Sequence, residues 1–333
     1  KIKVWRKQMI GKICGTGSYI PPKILSNDDL SEMVETSDEW IRERTGVRNR
    51  HIAGEDTSSF MASEAAKRAV ENAGISPEEI DLILVASSSP DVIFPSVACE
   101  VQKAIGAVHA SGYDMQAACT GFVFAYQTAQ AYIEAGFYKT ILLIGSEALS
   151  TMVDWTDRGT CILFGDGAGA AILCAAEGKT YPPAAHMDGR KGEALVCRSR
   201  FSDRFLEKYQ NTGKVPGDTY ISMDGRGVFQ FAVKSVPQVV TEVLEKALLT
   251  TDDIDWFILH QANQRIVESV AKRLKTDIER FPMNLQEYGN TSSASIPILL
   301  DEMNRDGRLK RGQKIIIAGF GAGLAWGASI LEW

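Results

Sequence analysis

The chain has 333 residues, of which 45% are hydrophobic and 23% charged, with a formal net charge of -6. That profile fits a globular protein large enough for two domains or one large two-part core, and it disfavours a basic protein that coats nucleic acid. No apolar run approaches the roughly 20 residues that a membrane span needs.

The opening "KIKVWRKQMIGKI" is basic and lacks the apolar stretch of a signal peptide. Residues 1–8 are read as an extension outside the fold, and the first methionine is Met9. Helical patterning over 58–74 ("SSFMASEAAKRAVENAG") stops on Gly74. Next, "SPEE" (76–79) offers a cap at Ser76, proline at the first helical position and Glu79 to close a capping box. Near-continuous apolar runs at 81–89, 140–148, 168–176, 254–262 and 314–322 read as buried strands of a sheet covered on both faces. The alternation of such strands with helices gives an α/β fold.

The order of features repeats. "GISPEEIDLILVAS" and "LTTDDIDWFILHQA" open matching strands at Asp81 and Asp255, 174 residues apart. Lys139 and Gln313 begin the next matching pair at the same separation. Cys119 falls opposite Asn290, 171 residues apart. Two similar halves, 9–180 and 181–333, follow from this spacing. A pseudo-twofold axis between them brings Cys119, Asn290 and the strand end carrying His260 to one place.

The six cysteines are Cys14, Cys99, Cys119, Cys161, Cys174 and Cys197, with neither C-x-x-C spacing nor histidines at zinc-ligand spacing. We therefore expect no metal site, no disulfide framework and a reducing, cytoplasmic setting. Cys119 precedes "TGFVFAYQTAQAYIEAG", a helical pattern ending on Gly136, so a helix start lies beside its thiol and is expected to lower its pKa. The residues alone leave Cys119 open between a buried structural thiol and a nucleophile. His260 ends an apolar strand, where the sites of α/β folds collect, but a core histidine reads the same way. Asn290 lies in "EYGNTSSASIP", a turn or cap by default, yet its amide is also able to donate to an oxyanion.

Six stretches together narrow these options: "ETSDEWIRERTG" (35–46), "AACTGF" (117–122), "TDRGTCILFGDGAGAAIL" (156–173), "HQANQRI" (260–266), "YGNTSSASIP" (288–297) and "GFGAGLAWGA" (319–328). In this order they resemble the beta-ketoacyl-acyl-carrier-protein synthase III family, the initiating condensing enzymes of bacterial fatty acid synthesis. The resemblance runs from about residue 9 to the end. It implies a thiolase-like fold with two duplicated halves in five αβαβα layers. It further implies that Cys119 carries an acyl group from acyl-coenzyme A, and that His260 and Asn290 act on malonyl-acyl-carrier protein. The backbone N–H groups of Cys119 and Ala322 would form the oxyanion hole, with Phe320 packed beside the pair.

By the same resemblance Trp40, Arg44, Arg158, Gly225, Asn263 and Arg265 line a coenzyme A channel. Carrier-protein docking falls to Gln261, Ala262, Asn263, Gln264 and Arg265, with Lys234, Lys272, Arg273 and Lys275 as a basic patch. Phe94 crosses a homodimer interface to close the acyl pocket. Coenzyme A thioesters are substrates, and no cofactor, metal, nucleic acid or membrane is expected. Thiolases and elongating synthases are disfavoured by the absence of a cysteine in "GFGAG" and by Asn290 where a second histidine would stand. A papain-like protease lacks support from secretion signals or disulfide spacing. Starter synthases of polyketide or quinolone metabolism, and an acyl-binding relative that no longer condenses, remain as alternatives.

Overall fold

The computed structural model describes residues 8–198 and 220–333. Of the extension read at 1–8, residues 1–7 lie outside the described residues, while the Gln8 carbonyl accepts the Gly178 N–H at 3.2 Å. In chain order the first part runs β1 (Met9–Tyr19), α1 (Asp38–Thr45), α2 (Ser58–Ala73), β2 (Leu82–Ala86), α3 (Val97–Ile105), β3 (Ser111–Met115), α4 (Gly121–Ala135), β4 (Thr140–Glu147) and β5 (Gly167–Glu177). The second part runs β6 (Ala184–Met187), α5 (Gly225–Ala247), β7 (Trp256–Leu259), α6 (Gln264–Leu274), α7 (Ser295–Arg305), β8 (Lys314–Gly321) and β9 (Ala325–Glu332).

Local signals explain where these elements start and stop. Thr57 caps α2 by accepting from the Phe60 N–H, and Gly74 ends it at φ 67°, a left-handed position that suits glycine. Ser76 and Glu79 do form a capping box, but only the single 3-10 turn Pro77–Glu79 follows, because the chain enters β2 at once.

One sheet has the order β1-β5-β4-β2-β3 and the other β7-β8-β9-β6. From β2 through β4 and β5 to β1 the pairings are parallel, antiparallel, antiparallel. From β7 through β8 and β9 to β6 they repeat in that order. The two aspartates picked out by the repeat do the same work. Asp81 accepts the Lys139 and Thr140 N–H groups at 2.7 and 2.9 Å, and Asp255 accepts the Lys314 N–H at 2.8 Å. Each pins the start of one strand to its parallel neighbour.

Strand side chains alternate between faces, and the burial follows that period. Leu82 and Leu84 of β2 point to a central layer with α4, α7 and residues Ile258, Ile315 and Ile317 of the second sheet. Ile83 and Val85 point outward under α2 and α3. Phe257, Leu259 and Ile316 point outward under α5 and α6. The result is the five-layered αβαβα order. Each fully buried aliphatic side chain stabilises the fold by about 1.5–3 kcal/mol, and the central layer draws them from both sheets.

The cysteine expectation needs correcting. Cys14 of β1 is bonded to Cys174 of β5, with Cα atoms 6.1 Å apart. These strands pair antiparallel, with Cys174 opposite Lys12 and Cys14 at a register shift between Ile13 and Gly15. A pair 160 residues apart leaves no trace in local spacing, and it removes cysteine usage as an indication of a reducing compartment. Among the described residues, no helix is long and apolar enough to cross a membrane.

Candidate active site

Cys119 lies in the 3-10 turn Ala118–Thr120 immediately ahead of α4. The turn needs Ala118 at φ 44°, a left-handed conformation that side-chain-bearing residues rarely adopt. Cys119 is buried, and the end of β8 runs against it. A Cβ on Gly321 would lie 2.8 Å from the Cys119 Cβ and 3.1 Å from its Sγ, so glycine is what permits this approach. Burial pushes the Cys119 thiol up to about 12; the Ser292 hydroxyl pulls it down, and the Glu147 charge adds to the rise. Desolvation therefore outweighs the lowering expected from the helix start. Glu147 is itself buried, accepting from Ser293 Oγ at 2.8 Å, the Ser88 N–H at 3.0 Å and Ser89 Oγ at 2.8 Å. Burial raises its pKa as well.

Asn290 is fixed by the segment Leu163–Gly165. Its N–H donates to the Leu163 carbonyl at 2.8 Å, and its carbonyl accepts the Gly165 N–H at 3.1 Å. Its side-chain Oδ1 accepts the Ser292 N–H at 2.9 Å. A backbone N–H only donates, so the amide orientation is determined and its NH2 group is left for the cavity. His260 follows β7, with its Nδ1 2.8 Å from Ser295 Oγ. Phe320 meets the imidazole edge to face, ring centroids 5.1 Å apart. Burial pulls the His260 pKa down to about 3, so the ring is neutral at any ordinary pH.

Cys119, His260, Asn290 and Phe320 line one cavity of about 590 Å³ that extends out to Trp40. Arg44, Gly225, Asn263 and Arg265 line it too. Arg158 joins at the outer end, its guanidinium 4.7 Å from the Trp40 ring centre, with Arg44 at 5.8 Å from the same ring. Asn263 caps α6 and donates to the Arg44 carbonyl at 3.0 Å, tying the two walls together. A second cavity of about 330 Å³ leaves Cys119 between Leu149, Met152, Leu195, Ile221 and Ala322. It is predominantly apolar, and Ala322 has negative φ, so a backbone donor there needs no glycine.

Gln261 departs from its expected place on the docking face. It is 1% exposed, donating to the Leu259 carbonyl at 2.8 Å and accepting the Asn284 N–H at 3.2 Å. It belongs to the packing behind His260. Ala262 and Gln264 are half-buried, whereas Lys234, Arg265, Lys272, Arg273 and Lys275 are exposed on or beside α5 and α6. Phe94 is 82% exposed beside Val92 and Ile93 and does not reach either cavity at Cys119 within the chain.

Family models described as 3-oxoacyl-[acyl-carrier-protein] synthase III and its C-terminal part match residues 113–189 and 244–333. The beta-ketoacyl-[acyl-carrier-protein] synthase III of Clostridium acetobutylicum is 49% identical over 97% of this chain and 98% of its own. The chain belongs to the beta-ketoacyl-acyl-carrier-protein synthase III family. Among solved structures, the Aquifex aeolicus synthase III superposes with a TM-score of 0.90 at 43% identity, covering 97% of this chain and 100% of that one. The priming beta-ketosynthase of the R1128 polyketide pathway has a TM-score of 0.92 at 34% identity, covering 100% and 98%.

Gly321, Glu147, Ser292 and Ser295 of this synthase III chain were not among the site residues legible in the sequence. The "TSSAS" run is dense in small hydrogen-bonding residues, but the site partners of Ser295 and Ser292, His260 and Cys119, lie far along the chain.

Proposed function

We propose that this synthase III condenses a short acyl-coenzyme A with malonyl-acyl-carrier protein, releasing coenzyme A and carbon dioxide. In the first half, the Cys119 sulfur attacks the acyl carbonyl and expels the coenzyme A thiolate, leaving an acyl-cysteine. The thiol proton leaves with coenzyme A, so the step balances. The tetrahedral oxyanion would rest on the N–H groups of Cys119 and Ala322. In the second half, the malonyl group loses carbon dioxide, and its enolate carbon attacks the acyl-cysteine. His260 and Asn290 donate to the enolate oxygen as its charge develops. Cys119 departs as thiolate, ready to be reprotonated.

The observation that carries this reading is the fixed Asn290 amide. Its oxygen is held by a backbone donor, so only its N–H groups face a buried cavity shared with a neutral histidine and the nucleophile. Such donors stabilise an enolate, whereas a hydrolytic base would need the opposite polarity. Each is worth about 2.7–4 kcal/mol of barrier by analogy with measured oxyanion donors.

The outer cavity suits coenzyme A. Trp40 offers a ring for adenine, Arg44 and Arg158 offer charge for phosphate, and the starts of α5 and α6 stand at its wall. The apolar branch at Leu149 and Met152 would take the acyl chain. Acyl-carrier protein would dock on the basic face of α5 and α6, and two chains would pair through the exposed tip at Phe94. Identities of 49% and 43% to synthase III enzymes against 34% to the polyketide priming enzyme favour fatty acid initiation over a starter role.

Intact-protein mass spectrometry tests the first half directly. The wild-type protein incubated with acetyl-coenzyme A gains one acetyl mass, and Cys119→Ala gains none. An acetylated Cys119→Ala protein would place the nucleophile elsewhere.

A further inference from the structure

Arg50 is fully buried on the short strand Asn49–Ile52, and the proposed chemistry makes no use of it. Its guanidinium donates to three oxygens on separate segments: the Leu25 carbonyl at 3.0 Å, Asn27 Oδ1 at 2.8 Å and the Ile162 carbonyl at 2.9 Å. All three acceptors are neutral. Burial pulls the guanidinium pKa down to about 10, which still leaves the group charged at ordinary pH. Taking a charge out of water costs free energy, so an arginine here serves something other than burial of apolar surface.

One of its three segments carries Asn290. Ile162 ends the short helix Arg158–Cys161, and the Arg50 fork supplies a donor for its carbonyl. The residues that follow bond Asn290 directly. Leu163 accepts its N–H, Gly165 donates to its carbonyl, and Phe164 pairs with it as an isolated parallel bridge. The Arg50 stem touches both sides of that bridge. A Cβ on Gly165 would lie 3.2 Å from the Arg50 Cβ, and one on Gly289 would lie 3.3 Å from it. The remaining anchors are themselves held. Leu25 is the strand partner of Arg50, and Asn27 Nδ2 donates to Asp38 Oδ1 and to the Val47 carbonyl, each at 2.9 Å.

We propose that Arg50 is a positioning residue for Asn290: its guanidinium holds the Ile162 carbonyl and its stem backs Gly165 and Gly289, so the backbone beneath Asn290 stays fixed and the amide N–H groups keep their aim into the Cys119 cavity. Arg50 touches no substrate and takes up no proton. Its effect falls on the condensation, which uses the Asn290 amide, and spares self-acylation, which uses backbone donors. The inference rests on the enolate-donor role proposed for Asn290.

The test is Arg50→Lys, which keeps a buried cation and most of the stem but offers a single nitrogen in place of the fork, too little to hold three separated oxygens. Carbon dioxide release by pre-acylated enzyme in a single turnover with malonyl-acyl-carrier protein should fall about 10- to 100-fold, the range expected when a reacting group is displaced by up to about 1 Å. Self-acylation at saturating acetyl-coenzyme A should stay within about threefold of wild type. In an Asn290→Ala background, Arg50→Lys should cost no more than about a further threefold in condensation, because nothing is left to position. In protein labelled with 15N-asparagine, the Asn290 side-chain amide signal, assigned from the Asn290→Ala spectrum, should move or broaden in Arg50→Lys. Arg50→Gln carries no charge into the core and takes the same measurements, with the same outcomes expected, if the lysine variant does not fold. A folded variant that condenses at the wild-type rate, loses both half-reactions equally or adds its full loss to that of Asn290→Ala overturns the proposal. Normal condensation by Asn290→Ala would instead refute the donor role; the amide signal then decides the positioning, a displaced signal supporting it and an unmoved one overturning it.

Discussion

A single methyl group at Gly321 probes the seat of the nucleophile. The substituted Cβ would sit 2.8 Å from the Cys119 Cβ and 3.1 Å from its Sγ. Carbon contacts relax to about 3.5–4.0 Å, so one side must move by roughly 0.7 Å or more. Neither side yields easily. Gly321 ends a strand paired to Ala325, and Cys119 is bracketed by the left-handed Ala118 and the start of α4. Gly321 itself is not in the left-handed region, so Gly321→Ala adds crowding without backbone strain. Overpacking of this kind costs about 1–3 kcal/mol of stability. Misplacing a reacting atom by about 1 Å costs on the order of 100-fold in rate. Gly321→Ala should therefore remain folded, with a melting temperature lowered by several degrees, and acetylate Cys119 about 100-fold more slowly. Rapid-quench intact mass spectrometry with acetyl-coenzyme A, paired with thermal unfolding, reads both numbers. Acetylation at the wild-type rate would refute the seating of Cys119 against β8.

Asn290→Ala should keep self-acylation but lower condensation by about 100- to 1,000-fold, measured as labelled carbon dioxide from pre-acylated enzyme; an equal loss in both half-reactions would count against a donor role. The pH profiles should separate the two steps. With the Cys119 thiol pushed up to about 12, acylation should climb throughout the neutral and mildly alkaline range. With His260 held near 3, condensation by the acyl-enzyme should show no inflection near about 6.5, where an unburied histidine titrates. The same shift has a sign for stability. The folded pKa lies below the unfolded 6.5, so the unfolded chain takes up a proton first and stability falls as pH drops from 6.5 towards 3. Urea melts of His260→Gln across that range should lose this part of the acid sensitivity. Raising salt should slow turnover with carrier protein more than acylation by coenzyme A thioester, since Lys234, Lys272, Arg273 and Lys275 are exposed on one acidic chain.

Much of the architecture was readable because the strands are continuous apolar runs with sharp stops. Strands such as Thr140–Glu147 and Lys314–Gly321 lie within one residue of the runs read at 140–148 and 314–322. The equal separations of Asp81 from Asp255 and of Lys139 from Gln313 correspond to two sheets with the same pairing order. The repeat spacing placed Cys119, His260 and Asn290 together, the family resemblance gave them roles, and the structure brings all three to one cavity. What stayed hidden depends on contacts between distant elements. Gln261 sits inside "HQAN", beside an exposed-looking helix start, and only the third dimension shows it turned inward to Asn284. Cys14 meets Cys174 only because β1 and β5 pair across 160 residues of chain. Burial of the Cys119 thiol, which decides its protonation, likewise comes from β8 and the Ser292 turn rather than from its own helix.

The central claim is that the acyl group on Cys119 is consumed by a decarboxylated malonyl unit. Enzyme charged with radiolabelled acetyl-coenzyme A, freed of excess thioester and mixed with malonyl-acyl-carrier protein in a single turnover, tests it most directly. Label should leave the protein, appear as beta-ketoacyl-carrier protein and be matched by one carbon dioxide per acetyl group lost. Label that stays on Cys119, or leaves as free acetate, would contradict the account.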